Sequence, residues 1–127
     1  MALIGEWTGK LYHKSLCEYV EDEYFKIEIL SISDENEITA KVTEEIRTPG
    51  LCPCKVSIKE PYKALGRRNP AGNNLRLSYT AYNNRGESCT VEIAAAVDIE
   101  CRSMKGSYMS YHGKGRVCLE FQLSLQE

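Results

Sequence analysis

Residues 104–127, MKGSYMSYHGKGRVCLEFQLSLQE, are the stretch that decides the fold class of this chain. From residue 116 onward, apolar and polar residues alternate. The apolar set is Val117, Leu119, Phe121, Leu123 and Leu125. A period of two places alternate side chains on opposite faces of a β-strand. Gly113-Lys114-Gly115 supplies a turn, so residues 104–112 are predicted to form the partner strand of a hairpin.

The same alternation recurs along the chain and predicts eight strands. They are residues 5–13, 24–32, 37–47, 54–60, 75–82, 88–100, 103–112 and 115–126. Residues 14–23 are predicted to be a connection that could hold one helical turn. Residues 61–74 are predicted to be the longest irregular segment, because they combine prolines, glycines and paired asparagines. Ala94-Ala95-Ala96 would suit a helix, but the β-branched neighbours in 88–100 favour a strand.

Eight strands with alternating faces and mostly short connections predict an all-β fold, an eight-stranded antiparallel up-and-down β-barrel. The length predicts that residues 1–127 form a single domain. Closure into a barrel removes exposed sheet edges, whereas a two-sheet sandwich is the structural competitor. A barrel of eight strands is wide enough either to be filled by side chains or to hold one small ligand.

The composition and net charge argue against some classes of function. The net charge of −2 argues against a general nucleic-acid binder, which needs a basic face. Arg67-Arg68 is interpreted as a solvated pair in a loop. The N-terminus lacks a basic, apolar leader, and no apolar run reaches the ~20 residues of a membrane helix. We therefore expect a cytoplasmic protein with no membrane contact, whose six cysteines remain thiols.

Two short motifs carry a family resemblance. They are Gly5-Glu6-Trp7 near the N-terminus and Gly106-Ser107-Tyr108 at the start of the closing hairpin. With these motifs the chain resembles the calycin-like barrels, the avidin and lipocalin group. The resemblance implies a tryptophan that plugs one barrel end, a lumen, and assembly through the outer wall. Biotin binding is not implied, because Thr8, Gly9 and Lys10 replace the asparagine and serine that avidins use, and Trp7 is the only tryptophan.

Several polar residues share the parity of the apolar, inward-facing ones. They are Ser31, Glu44, Tyr79, Tyr108 and Ser110, with His13 and His112 inside or at the rim. A buried polar group without a partner costs about 1–3 kcal/mol, so either a ligand or water at the strand ends must satisfy them. The ligand hypothesis assigns stacking surfaces to Trp7, Tyr79 and Tyr108, and a polar anchor to Glu44 or Ser110.

Support for catalysis is weak. The chain has no glycine-rich phosphate loop, no G-x-S-x-G and no H-E-x-x-H, so no enzyme, catalytic residue or cofactor is predicted. Cys52-Pro53-Cys54 could be half of a metal site or a redox pair. Incidental thiols are favoured and no metal is predicted, because structural zinc requires four ligands.

A last group of small or apolar residues falls on the outward parity. They are Leu30, Ile32, Ala94, Ala96, Met109 and Tyr111. Either two barrels pack there as a dimer or higher homo-oligomer, or the loop at 61–74 covers the patch. The leading functional hypothesis is a non-enzymatic binding protein with a small, largely apolar ligand in the barrel mouth. The alternative is a protein-interaction module with a filled core that assembles through its outer wall or loops.

Overall fold

A computed structural model describes residues 3–13, 18–19, 24–45, 61–71, 73–82, 88–112 and 115–126. Within these ranges the chain forms one antiparallel sheet of nine strands. The strands are β1 Gly5–His13, β2 Glu18–Tyr19, β3 Tyr24–Ile32, β4 Glu37–Glu45, β5 Tyr62–Asn69, β6 Asn74–Tyr82, β7 Ser88–Asp98, β8 Ser103–His112 and β9 Gly115–Leu125. The described ranges hold no helix that is long and apolar enough to span a membrane.

The sheet closes on itself. Sequential strands are neighbours from β3 to β9, and β1 pairs with both β3 and β9. The closing seam runs from Trp7 opposite Leu125 to His13 opposite Leu119. Strand β2 is a two-residue addition that pairs with the end of β1. The predicted eight-stranded antiparallel up-and-down barrel is thereby confirmed, and the sandwich alternative is wrong.

Alternation along each strand turns the apolar side chains toward the barrel interior. In β7 the burial pattern switches at nearly every residue, with Val91, Ile93 and Val97 buried. The helical alternative for Ala94-Ala95-Ala96 is therefore wrong. The largest side chains that are fully buried are Trp7, Leu11, Phe25, Ile27, Ile29, Ile38, Leu75, Ile93, Met104, Tyr108, Leu119 and Phe121.

The barrel has two distinguishable ends. Strands β1 and β4 point the same way, because both are antiparallel to β3. Trp7 is near the start of β1 and Glu44 near the finish of β4, so they mark opposite ends. At the Trp7 end, residues 33–36 form the turn that joins β3 to β4. Within it Asn36 adopts the left-handed backbone conformation. The Ser33 hydroxyl accepts hydrogen bonds from the Glu35 and Glu37 amides, which stabilises this turn.

The prediction for residues 61–74 is wrong. Residues 62–69 form β5, which pairs with β4 and β6. The prolines that predicted a loop flank the strand instead of interrupting it, as Pro61 and Pro70 lie just outside its limits. The inward face of β5 includes Ala64 and Gly66, and with only a methyl group and a hydrogen atom at these positions the apolar alternation is hidden. The predicted strand at 54–60 lies outside the described residues.

One predicted inward residue points elsewhere. The register between β3 and β4 shifts between Ile29 and Ser31. An irregularity of this kind resets the alternation of a strand, so Ser31 is exposed and Ile32 packs against the core. The other predicted inward polar residues whose side chains are described, Glu44, Tyr79, Tyr108 and Ser110, are buried.

Candidate functional site

A buried carboxylate with two phenols lies inside the barrel near the Glu44 end. The Glu44 side chain accepts hydrogen bonds at Oε2 from the hydroxyls of Tyr79 and Tyr108, the latter at 2.9 Å. Only 2% of Glu44 is exposed to solvent. Strand β4 supplies the carboxylate, and β6 and β8 supply the phenols, so the cluster joins three separated parts of the wall.

The environment of this cluster changes the acidity of Tyr79. Burial is the largest cause that raises the pKa of its phenol well above the ordinary value of 10.0, and the negative charge of Glu44 is the next. The hydrogen bond to Glu44 acts in the same direction. Tyr79 therefore keeps its proton and remains a donor to the carboxylate over the physiological range.

Aromatic rings surround the polar cluster. Phe25 meets Tyr108 edge-on with centroids 5.7 Å apart, and its ring lies 5.1 Å from that of Phe121. Tyr62, half-buried at the start of β5, stacks on Tyr79 at 5.3 Å. These contacts give the cluster an apolar lining with ring faces that suit aromatic or aliphatic groups.

A second polar contact lies at the same end. The Ser110 hydroxyl donates to Sγ of Cys89 at 3.4 Å, and both residues are buried. Ser110 lies two residues beyond Tyr108 on β8, on the same inward face. A carboxylate, two phenols and a hydroxyl within an apolar wall can hold the polar group of a small, otherwise apolar molecule.

The structure separates Trp7 from the other predicted ligand-binding residues. Glu44, Tyr79, Tyr108 and Ser110 occupy one half of the barrel, and Trp7 is fully buried at the opposite end. Its indole N–H donates to the backbone carbonyl of Leu3 at 3.0 Å.

Other predicted candidates lie beyond what the structure describes. The side chains of His13 and His112 are outside the described part, as are Cys52 and Cys54. The described ranges contain no group of three or more histidine, cysteine, aspartate or glutamate residues arranged to hold a metal ion.

The outer wall of β5–β8 carries an exposed apolar surface. Leu65 is 55% exposed and Tyr111 37%. Leu65, Ser78, Glu92 and Met109 lie opposite one another across four strands, and Leu65, Met109 and Tyr111 border one groove of about 520 Å³. The alternative that a loop at 61–74 covers this surface is wrong, because residues 62–69 are themselves part of the wall.

Sequence reasoning missed Tyr62 and the partnership of Cys89 with Ser110. Tyr62 was hidden because residues 61–74 were predicted to be irregular. The signal available was the alternation of Tyr62, Ala64 and Gly66 with the longer, outward side chains between them. No sequence signal pairs Cys89 with Ser110, because their contact depends on the register of β7 with β8.

Comparison with protein-family models, with curated proteins and with solved structures found no match to this chain.

Proposed function

We propose that this chain is a non-enzymatic binding protein that holds a small, largely apolar ligand at the Glu44 end of the barrel. The observation that carries the proposal is the buried Glu44 carboxylate with its two phenol donors inside an otherwise apolar wall. Burial and the charge of Glu44 raise the pKa of the Tyr79 phenol in this cluster, and buried groups with perturbed pKa values gather at functional sites more often than elsewhere. A barrel of eight strands is also of a size that can hold one small ligand.

Each cluster residue has a role in this proposal. Glu44 and Ser110 anchor a hydrogen-bond donor of the ligand, and the rings of Tyr79 and Tyr108 pack against its apolar part. Trp7 closes the opposite end of the barrel, beyond the ligand, which agrees with its full burial. That position also supports kinship with the calycin-like barrels. A cytoplasmic location is consistent with Cys89, Cys101 and Cys118, which are thiols and not disulfide-bonded.

Titration with N-phenyl-1-naphthylamine, an apolar aryl amine whose fluorescence rises in apolar surroundings, tests the proposal. We expect saturable binding by the native chain and a loss of affinity of roughly tenfold or more in Glu44→Gln, because a charge-assisted hydrogen bond contributes about 1.5–3 kcal/mol. Glutamine keeps the size and an acceptor oxygen, so the variant should fold. Glu92→Gln removes an exposed carboxylate from the outer wall and is the matched control.

Two results would remove the proposal. One is the absence of saturable probe binding by the native chain. The other is equal affinity in Glu44→Gln and Glu92→Gln, since the anchor would then contribute nothing.

The exposed apolar surface on β5–β8 supports a second candidate, an interaction module that forms homo-oligomers through its outer wall. Leu65 and Tyr111 are large apolar residues exposed on one face, and symmetric pairing of such a face would remove both from water. Light scattering should give twice the mass of the chain, and Ala94→Arg or Leu65→Glu should restore the monomer. Leu30→Glu is the control, because Leu30 is 41% exposed on β3, away from this face. A native monomer would rule this candidate out.

A further inference from the structure

A groove lies on the outer wall where β5, β6 and β7 run side by side. Three successive residues from each strand line it, residues 67–69, 74–76 and 94–96, around a volume of about 600 Å³. In register, Arg67 lies opposite Arg76, which lies opposite Ala94; Asn69 lies opposite Asn74, which lies opposite Ala96. We call these nine residues the cationic groove.

The shape of the cationic groove follows from this register. Alternation turns six side chains outward, those of Arg67, Asn69, Asn74, Arg76, Ala94 and Ala96. The backbone of the middle row, residues 68, 75 and 95, lies between them. The side chains of Ala94 and Ala96 are short, so the groove has little wall along β7, and we call this border the low side. Long guanidinium side chains stand along one border and the two asparagine amides along the other.

The charge in the groove is unbalanced. Like charges directly opposite each other on neighbouring strands are destabilising, yet Arg67 and Arg76 occupy such a pair. Arg67 has Glu37 on its other flank, whereas the cross-strand neighbours of Arg76 are Arg67 and Ala94. Within the described ranges Lys26 forms an ion pair with Glu6, whereas Arg76 forms none. None of the nine groove residues is acidic.

The arginines are also held in place to different extents. Arg67 donates from Nη2 to the Glu35 carbonyl at 3.3 Å, which orients its side chain and uses one of five N–H donors. Arg68, half-buried beside it, donates from Nη2 to the Asn36 side chain at 3.0 Å.

Lys105 lies opposite Ala96 on the far side of β7 and adds a further positive charge beside the groove. Two exposed acidic residues flank the groove along β7: Glu92 lies two residues before Ala94, and Asp98 lies two residues after Ala96 and accepts a hydrogen bond from the Cys101 amide.

We propose that the cationic groove binds a compact anion bearing a carboxylate or phosphate group, with Arg67 and Arg76 as its guanidinium donors. A planar guanidinium matches both groups through paired N–H donors. The asparagine amides supply neutral donors on the opposite border. Ala94 and Ala96 leave room for the anion to approach the sheet. Proteins break local rules of charge placement mainly at functional sites, and the Arg67–Arg76 pair is such a break. This site lies on the outside of the barrel and is independent of the ligand at the Glu44 end.

Amide chemical shifts of the full chain test the proposal, with sodium pyrophosphate and sodium citrate as separate probes and sodium chloride as the ionic-strength reference. We expect saturable shifts at residues 74–76 and 94–96 for at least one probe. Saturation by pyrophosphate alone identifies a phosphate ligand, and saturation by citrate alone a carboxylate ligand. Arg76→Gln should weaken binding by roughly tenfold or more, the equivalent of one charge-assisted hydrogen bond.

Two further variants distinguish a shaped site from general attraction to a basic surface. Ala94→Leu fills the low side without altering charge and should weaken binding as strongly as Arg76→Gln. Lys41→Gln removes an exposed positive charge from β4, outside the groove, and should leave the affinity within about twofold. The proposal is overturned if both probes shift amides only in proportion to ionic strength, or if Lys41→Gln and Arg76→Gln weaken binding equally.

Discussion

Glu44 is a carboxylate on the inward face of β4. Its position follows from the alternation of the strand, which turns Ala40, Val42 and Glu44 to the same face. Its partners are distant in sequence: Tyr79 is 35 residues away and Tyr108 is 64. Alternation alone puts each of the three inside the barrel, since all share the parity of their apolar neighbours. That both phenols reach the same carboxylate oxygen depends on the height of each residue along the barrel, which only the strand registers set.

The raised pKa of Tyr79 predicts a pH dependence of stability. Because the folded-state pKa lies above the unfolded value of about 10, the native state keeps a proton that the unfolded chain loses. The stabilising contribution is complete below the unfolded value and is lost as the pH rises from there toward the folded pKa. The free energy of unfolding should fall by up to about 1.4 kcal/mol per pH unit over that window.

Urea denaturation between about pH 9 and pH 11 measures this dependence. Tyr79→Phe should have a shallower slope than the native chain. Tyr24→Phe removes a phenol that is 38% exposed and serves as the matched control. Equal slopes in the native chain and Tyr79→Phe would contradict the buried, carboxylate-facing position of Tyr79.

Strand β5 is the element whose sequence and structure disagree most. Its outward face carries Lys63, Leu65 and Arg67, and its inward face has the small residues Ala64 and Gly66. A Cβ atom on Gly66 would overlap the carbonyl oxygen of Arg76 on β6. The two backbones therefore approach more closely than any other residue type would allow. In the sequence Gly66 favours a loop, but in the sheet the close pairing of β5 with β6 requires a glycine at this position.

This close approach predicts that Gly66→Ala destabilises the barrel by about 1–3 kcal/mol, because the added methyl group forces β5 away from β6. Chemical denaturation followed by circular dichroism provides the measurement. Leu65→Ala changes an exposed residue on the same strand and should stay within about 0.5 kcal/mol of the native chain. If residues 61–74 formed a surface loop, Gly66→Ala would be tolerated as well as Leu65→Ala.

At the scale of the whole molecule, the seam between β1 and β9 converts a curved sheet into a barrel. Phe121 on β9 lies opposite Leu11 on β1 and opposite Gly106 on β8, and its fully buried ring packs on Phe25 of β3. One side chain thus links strands from the first and last parts of the chain. A missing seam would leave two long unpaired edges, which favour aggregation.

We expect Phe121→Ala to reduce the free energy of unfolding by about 3–5 kcal/mol, the usual cost of removing a buried aromatic side chain. Gln122→Ala, at the next and exposed position of the same strand, should change it by less than about 0.5 kcal/mol. Both values come from urea denaturation with tryptophan fluorescence of Trp7. A similar small effect for both variants would mean that Phe121 does not face a closed interior.

The sequence by itself determined the all-β class, the up-and-down barrel and the inward set on most strands, including Glu44, Tyr79, Tyr108 and Ser110. The predicted count of eight strands agrees with the barrel, but it included residues 54–60 and left out β5. These features depend on a period of two, which is a local property of each segment and is readable without the rest of the chain. Where the local signal was absent or interrupted, at the small residues of β5 and at the irregularity before Ser31, the sequence-based prediction was wrong.

Only the tertiary structure decided which residues meet. The shared oxygen of Glu44, the separation of Trp7 from that cluster, and the pairing of Arg67 with Arg76 all depend on strand order and register. Register is set by the combined packing of all strands around one closed interior, because a slip of one residue would turn every side chain of a strand to the other face. A property of the whole barrel cannot be read from any single strand.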